Sequence, residues 1–405
     1  MYKFFLIFTL TSLLNVQPLF SQNNNFNMNI TTAFTSNNTL GFYNNLRAQN
    51  KSNINFNLEY SKNNLSSQLN FNFDDYDKFN FDNTFANYKI GIANINIGKI
   101  NRIWSFSKKS SLILSSNSRP LEAISIKLEN KFDTKWLSSD AKWSIEAING
   151  STKNSYNGKN SMLFGARAVI NPSERLSFEI LQTSQWGGKN NRLSKSTLSA
   201  ILLNDTNSGE SAEINKMAGF GLSYTIPTNK NIYRVYGQAI GEDEAGSLPS
   251  CYSWIAGLEL SAPNIKAPTK LAIEIIDTRA DTSTNGWCGP NIVYNNHTYD
   301  YVNYGTVMGV PVDTEGTSIE LFGQSYINKN LTIDYSAQFL AINDNDYLYH
   351  RLSSNRSTGS IISLGMSWKQ NTFNLSGNIS YQNLTLDKAK ITHGTIFGLT
   401  SSINF

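Results

Sequence analysis

The stretch "HGTIFGLTSSINF", residues 393–405, has alternating apolar and polar side chains up to its last residue. One parity carries Phe397, Leu399, Ile403 and Phe405, and the other, Ile396 excepted, carries Gly398, Thr400, Ser402 and Asn404. This period of two predicts a strand with one apolar and one polar face. An aromatic last residue is typical of a strand that closes a membrane barrel, because aromatic rings favour the lipid interface. The alternative is the last strand of a soluble sandwich.

The first residues indicate export. Lys3 precedes the apolar run "FFLIFTLTSLL", and the small residue Ser21 follows. This arrangement is typical of a secretory signal peptide, so we expect residues 1–21 to be removed and the mature chain, 22–405, to form one domain. The apolar run is too short to be a convincing transmembrane helix.

The composition of the rest of the chain suits a barrel with a polar interior. Hydrophobic residues make up 40% of the sequence, the mean hydropathy is −0.33, and no second long apolar run occurs. A membrane barrel has this mixture because half of each strand faces the lumen. The net charge of +4 and the lack of a dense basic run argue against a nucleic-acid partner.

Alternation recurs along the chain, for example over residues 54–60, 124–128, 331–339 and 373–381. Tight turns at 171–174, 227–231, 327–330 and 369–371 alternate with long connections at 102–120, 187–217 and 280–316. Outer-membrane barrels combine short periplasmic turns with longer extracellular loops. We therefore predict an all-β, transmembrane antiparallel barrel of about 18 strands in the bacterial outer membrane. With both termini periplasmic, Cys251 and Cys288 lie on the outer side, where we expect a disulfide.

Residues suited to catalysis are few. The three histidines, His297, His350 and His393, have no metal-ligand neighbour at useful spacing, and neither HExxH nor GxSxG occurs. A Ser–His–Asp arrangement stays open because its members converge only in space. We interpret the histidines as solvated loop residues, and we expect no metal, no cofactor and no enzymatic activity.

Charged residues on the polar parity of the strands have mixed signs: Lys127, Glu129, Lys142, Glu146, Glu179, Arg234, Glu259, Glu274 and Asp334. Such a set can plug the lumen through salt bridges or line a selective pore. The long connections carry Trp104, Trp186 and Trp287 together with several tyrosines. Aromatic faces beside amides and carboxylates suit sugar rings, and an aromatic belt with loop packing is the alternative.

Three segments resemble the Wzi-like capsule assembly family, and they occur in that family's order. They are "INIGKINRIWSFSKKSSLILSSNSRP" (95–120), "VYGQAIGEDEAGSLPS" (235–250, followed by "AGLEL" at 256–260) and "HTYDYVNYGTVMGVPVDTEG" (297–316). The resemblance implies an 18-stranded outer-membrane barrel that acts as a lectin for capsular or related surface polysaccharide. The family has a helical plug at its periplasmic end. Few residues separate Gln22 from the first predicted strand, near 28–36, so any plug here must come from elsewhere.

The same segments supply the predicted polysaccharide-binding residues on the outer rim: Arg102, Trp104, Arg119, Glu242, Asp243, Glu244, Tyr299 and Tyr304. Arginine suits uronic acids, and paired acids suit sugar hydroxyls. The alternative is that these residues only pin the loops to each other. We also expect contacts with outer-membrane lipids and, through the strand ending at Phe405, with the barrel assembly machinery. A porin or uptake channel for small polar solutes is the second hypothesis, and an outer-membrane hydrolase is the third.

Overall fold

The structure is a computed structural model that describes residues 25–41, 52–74, 78–132, 138–156, 159–188, 194–202, 214–245, 248–280, 288–296 and 298–405. The predicted signal peptide, residues 1–21, lies outside these ranges. None of the helices in the described ranges is long and apolar enough to cross a membrane.

The described chain is nearly all strand. The strands are β1 (Phe26–Thr35), β2 (Ser52–Lys62), β3 (Leu65–Asp74), β4 (Lys78–Asn80), β5 (Phe85–Ile90), β6 (Ala93–Lys99), β7 (Glu122–Lys131), β8 (Lys142–Tyr156), β9 (Lys159–Asn171), β10 (Leu176–Trp186), β11 (Asn215–Pro227), β12 (Ile232–Ala245), β13 (Leu248–Ala262), β14 (Thr269–Asp277), β15 (Val302–Asn303), β16 (Thr306–Val307), β17 (Thr317–Tyr326), β18 (Leu331–Ile342), β19 (Ser357–Gln370), β20 (Phe373–Asn383) and β21 (Gly394–Asn404). One helix, α1 (Lys195–Leu202), follows β10.

The main sheet closes on itself as an antiparallel barrel. Sequential neighbours pair along the chain, and β21 returns to pair with β1, with Ile30 opposite Ile403. The short strand β4 and the strand β5 both pair with β3, so together they occupy one strand position in the wall. The nineteen-stranded sheet therefore makes a wall of eighteen strands, which confirms the predicted fold class and strand number.

The outer wall is apolar, as the terminal alternation predicted. Phe397 is 56% exposed and Leu399 is 53% exposed, whereas Ile396, on the opposite parity, is buried. The same outward exposure occurs around the barrel, for example at Ile180 and Phe339. An apolar surface of this extent is typical of the membrane-facing wall of an outer-membrane barrel.

The two ends of the barrel differ. We call the end that holds Phe26 and Phe405 the proximal end; the tight turns at 172–175, 228–231 and 327–330 lie there. The opposite, distal end holds the connection 100–121, the described parts of 278–316 (278–280, 288–296 and 298–316), and the connections 343–356 and 384–393. The small hairpin of β15 and β16 belongs to the second of these.

The hydrophobic core lies inside the barrel. Leu112, Ile113, Val310 and Tyr294 are fully buried, and they belong to one cluster with inward-facing strand residues such as Ile240. We call residues 100–121 the first plug segment, and residues 288–296 with 298–316 the second plug segment. The sequence predicted these stretches as extracellular loops, but their apolar side chains draw them into the lumen. The plug thus comes from two distal connections.

Candidate functional site

The first plug segment is held by side chains that project inward from the wall. Gln238 of β12 donates from Nε2 to the Trp104 carbonyl at 2.6 Å and accepts from the Leu112 backbone N–H at 2.9 Å. The same Nε2 also donates to Glu179 Oε1 at 3.0 Å. One amide therefore fixes two points of the segment's backbone against the barrel.

Glu274 of β14 anchors the tip of the same segment. Its carboxylate accepts from the hydroxyls of Ser107, at 2.6 Å, and Ser110. Tyr236 donates to it from the neighbouring wall at 2.6 Å. Glu274 is only 2% exposed, and these three donors satisfy a buried charge that would otherwise be costly.

Two ion pairs on the wall hold backbone carbonyls of the segment. Arg234, paired with Glu259, donates to the Phe106 carbonyl at 2.6 Å. Arg167, paired with Glu179, donates to the Ser105 carbonyl at 3.3 Å. The mixed charges of the lumen therefore hold a plug, which is one of the two roles that the sequence left open.

Arg102 and Trp104 share a single acceptor. Arg102 Nε donates to Glu146 Oε1 at 3.1 Å, and Trp104 Nε1 donates to Glu146 Oε2 at 3.2 Å. Trp104 is 1% exposed and packs in the core, with its ring against Gly165 of β9. The residues predicted to contact polysaccharide here are thus packing residues of the plug.

Arg119 is also buried. It forms a two-point ion pair with Asp82, with Nε to Oδ2 at 2.6 Å and Nη2 to Oδ1 at 3.0 Å. Its guanidinium lies 4.1 Å from the centre of the half-buried Tyr304 ring, and Asn303 donates to its carbonyl at 2.8 Å. Arg119 therefore connects the first plug segment with the second.

The remaining predicted residues occupy related positions. Glu242 Oε2 accepts from the Tyr294 backbone N–H at 3.2 Å, and the buried Tyr299 donates from its hydroxyl to the Gly187 carbonyl at 2.7 Å. Asp243 and Glu244 lie in β12, but their side chains are outside the described part. The expected outer rim is therefore corrected: Trp104, Arg119, Glu242 and Tyr299 are buried, Arg102 is half-buried, and all five join the plug to the wall, which favours the loop-pinning alternative.

The two cysteines attach the second plug segment to the wall. Cys251 of β13 and Cys288 form a disulfide with a Cα–Cα distance of 5.3 Å, and both are buried. The stacked rings of Tyr294 and Tyr301, with centroids 5.9 Å apart, continue the segment into the core.

The histidines differ from their predicted surroundings. His350 is 1% exposed, contacts the Thr314 carbonyl through Nε2 at 3.0 Å and accepts the Leu352 N–H at Nδ1, at 3.1 Å. The interpretation of His350 as solvated is therefore wrong. His393 is exposed, and His297 lies outside the described residues. Within the described ranges no cluster of His, Cys, Asp or Glu could hold a metal.

An exposed aromatic group lies at the distal end, between β18 and β19. Tyr349 is 76% exposed and Leu348 is 62% exposed, and the Tyr347 ring lies 5.8 Å from that of Tyr349 at 67°. We call these three residues the distal aromatic patch. The sequence contains it as "NDYLYHRLSS", a stretch that we considered only for its histidine; its clustered tyrosines were the available signal.

Asp344 and Arg356 precede and follow this patch in the sequence, and hydrogen bonds hold their charged groups in place. Arg356 Nε donates to Asp344 Oδ1 at 2.6 Å, and Arg279 Nη1 donates to Asp344 Oδ2 at 3.2 Å. Partial burial acts to raise the pKa of Asp344, but the hydrogen bonds and charges of Arg356 and Arg279 outweigh it and lower that pKa. The loop therefore combines aromatic faces, fixed carboxylates and guanidinium groups, which are the groups that bind sugars.

Comparisons with known proteins agree with this architecture. The family described as capsule assembly protein Wzi matches residues 14–394. The solved structure of Wzi from Escherichia coli, described as an outer membrane protein involved in group 1 capsule assembly and a carbohydrate-binding β-barrel, superposes with a TM-score of 0.77 at 20% identity, covering 93% of this chain and 84% of that one. Pseudomonas aeruginosa OprD superposes with a TM-score of 0.54 at 10% identity, covering 94% of each chain.

A sequence relative from Klebsiella pneumoniae is described as an uncharacterised 55.8 kDa protein in the cps region. It is 26% identical over 211 residues, which is 51% of this chain. The match spans 42% of that relative, less than half of its length.

Proposed function

Because this chain belongs to the Wzi capsule assembly family, we propose that it is an outer-membrane barrel that binds surface polysaccharide at its distal end. The polysaccharide is held and organised at the cell surface, and no bond in it is cut. The distal end faces the cell exterior, since outer-membrane barrels place their short turns in the periplasm.

The observation that carries this proposal is the exposed distal aromatic patch beside ordered charges. Tyr349 is 76% exposed and Leu348 is 62% exposed, although both lie outside the apolar wall. Aromatic faces can stack on the C–H side of a sugar ring, while Asp344 and Arg356 offer hydrogen bonds to hydroxyls and carboxylates. The predicted residues Arg102, Trp104, Arg119, Tyr299 and Tyr304 lie in the plug and Glu242 lies in the wall beside it, so these six contribute as a scaffold.

The plugged lumen supports binding over the porin alternative. A channel needs continuous water through the barrel, but the two plug segments form a core with Leu112, Ile113 and Val310 at no exposure. The first plug segment is bonded to the inward faces of β8, β9, β12, β14 and β17. Removal of this plug would break many hydrogen bonds.

The environment of His350 supports a binding protein over a hydrolase. Both of its ring nitrogens face backbone groups, and His393 starts the last strand. A hydrolase would need a histidine beside a nucleophile.

The apolar wall and the last strand carry the other proposed contacts. Outward side chains such as Ile180 and Phe339 meet membrane lipids. The strand ending at Phe405 carries the contact with the barrel assembly machinery, and the Phe405 N–H donates to the Met28 carbonyl at 2.8 Å in the closed wall.

A retention assay on cells tests the proposal. Tyr349→Ala removes the exposed ring without a buried contact, so the barrel should assemble normally while surface polysaccharide is released into the medium. Tyr88→Ala, which removes a 46%-exposed ring at the proximal end of the wall, is the matched control and should retain the polysaccharide. Full retention by a double Tyr347→Ala, Tyr349→Ala variant that assembles normally would reject the site.

A further inference from the structure

The plug leaves part of the lumen unfilled. A chamber of about 560 Å³ lies between the first plug segment and the wall formed by β1, β20 and β21. Its polar lining comes from Thr35, Asn378, Ser380, Thr400 and the plug residue Lys108. This volume falls within the range of roughly 300–1,000 Å³ found for small-molecule sites in proteins.

The charges that face this luminal chamber have one sign. Lys108 and Lys109 line it, and no carboxylate does among the described residues. Lys109 is neutralised by both oxygens of Glu320, each at 2.5 Å. The Lys108 side chain is 73% exposed, and its ion pair with Glu259 is long, at 3.5 Å. Lys108 therefore supplies a positive charge that is weakly held and reachable from the chamber.

A second space in the lumen differs in its charges. It has about 400 Å³ and also touches Lys108, but two carboxylates, Glu259 and Asp334, line it together with Arg234 and Lys270. The chamber, by contrast, has hydroxyls and amides with a weakly paired cation and no carboxylate among the described residues, which suits a sugar that carries a carboxylate.

The chamber also extends toward the distal side. Thr39 and Gly41 line it and follow the distal end of β1. The Thr39 hydroxyl has no hydrogen-bond partner among the described residues, which leaves a polar group at this position for water or a ligand.

We propose that this chamber is a luminal subsite for an acidic sugar unit, in which the Lys108 ammonium binds a uronic acid carboxylate while Thr35, Asn378 and Thr400 bind hydroxyls. The inference rests on the proposed function, since the sugar unit belongs to the polysaccharide that the distal end holds. It adds a preference for acidic over neutral polysaccharide, and it places the source of that preference inside the barrel.

The test compares two probes on the purified full-length barrel in detergent. One is a trigalacturonate, and the other is the same trisaccharide with its carboxyl groups reduced to alcohols. The wild-type protein should bind the acidic probe about tenfold more tightly, which is the order expected for one charge-assisted hydrogen bond. Lys108→Gln should remove this preference, and the control Lys62→Gln, at an exposed position in the β2–β3 hairpin, should keep it.

A second variant covers the possibility that Lys108→Gln disturbs the plug. Thr400→Trp places a large ring in the chamber from the wall, far from the distal aromatic patch, and should weaken binding of the acidic probe. Equal binding of both probes by the wild-type protein, or an unchanged preference in Lys108→Gln and Thr400→Trp, would overturn the subsite. In either result, loss of retention in Tyr349→Ala cells would leave the proposed function standing, whereas full retention there would reject that function separately.

Discussion

Substitution of Gln238 by leucine isolates the plug's attachment to the wall. Leucine has nearly the same volume, so the core stays filled, but three hydrogen bonds of Gln238 are lost, to Trp104, Leu112 and Glu179. The two neutral bonds to the plug backbone, at about 1 kcal/mol each, give a loss of about 2 kcal/mol in the plug's attachment, whereas the bond to Glu179 lies within the wall and does not hold the plug. The groups left behind are buried, so water does not replace the loss.

This free energy acts on the plug and leaves the strand ladder intact. A change of about 2 kcal/mol raises the population of a released plug roughly thirtyfold relative to the wild type. Single-channel recording in a planar bilayer measures this population as the frequency of open events. The wild-type barrel should stay closed, and Gln238→Leu should open intermittently.

The matched control is Gln338→Leu. Gln338 also faces the lumen, but its side chain donates to Ser318 on the adjacent strand at 2.9 Å and makes no hydrogen bond to the first plug segment. It should remain closed. If Gln238→Leu opens no more often than Gln338→Leu, the hydrogen bonds of Gln238 do not hold the plug and the reasoning is refuted.

Four further changes test other parts of the structure. Arg119→Ala leaves the buried Asp82 without its two-point partner and should cost about 3–5 kcal/mol, seen as lower thermal stability; an unchanged melting temperature would contradict the pair's importance. The Cys251–Cys288 bond should appear in non-reducing mass spectrometry as a loss of two hydrogens, and its removal should loosen the second plug segment by about 3–4 kcal/mol; two free thiols would reject it. Burial lowers the pKa of His350, although the charge of Asp313 acts to raise it. As the pH falls, the unfolded loop therefore binds a proton before the folded loop does, and the protease resistance of residues 343–356 should fall below about pH 6.5. A His350→Gln variant with the same pH dependence would contradict this role of His350. Deletion of Phe405 should reduce heat-modifiable barrel in outer-membrane fractions if the terminal aromatic residue is an assembly signal, and undiminished assembly would count against that role.

The wall of the barrel could be predicted from the sequence because its physics is local. Each strand places alternate side chains in lipid and in the lumen, so a period of two appears in runs such as 331–339 and 373–381. The first and last strands followed from the same pattern.

The interior could not be predicted in the same way. The first plug segment has no repeating period, because its contacts come from five strands distant in sequence. The apolar run Leu112–Leu114 inside a polar connection, together with inward charges of both signs, was the available signal. Family resemblance found the segment, but it suggested exposed binding residues, whereas Trp104 and Arg119 are buried. The distal aromatic patch was missed since exposure depends on the folded loop.

Direct binding tests the central claim most simply. Surface polysaccharide from the cells that produce this protein is immobilised, and the purified barrel is titrated over it by biolayer interferometry. We expect saturable binding by the wild-type protein and by Tyr88→Ala, with binding lost in the double Tyr347→Ala, Tyr349→Ala variant. Absence of binding by a correctly folded wild-type barrel, together with steady ion conduction in a planar bilayer, would contradict the proposed polysaccharide binding and favour a channel.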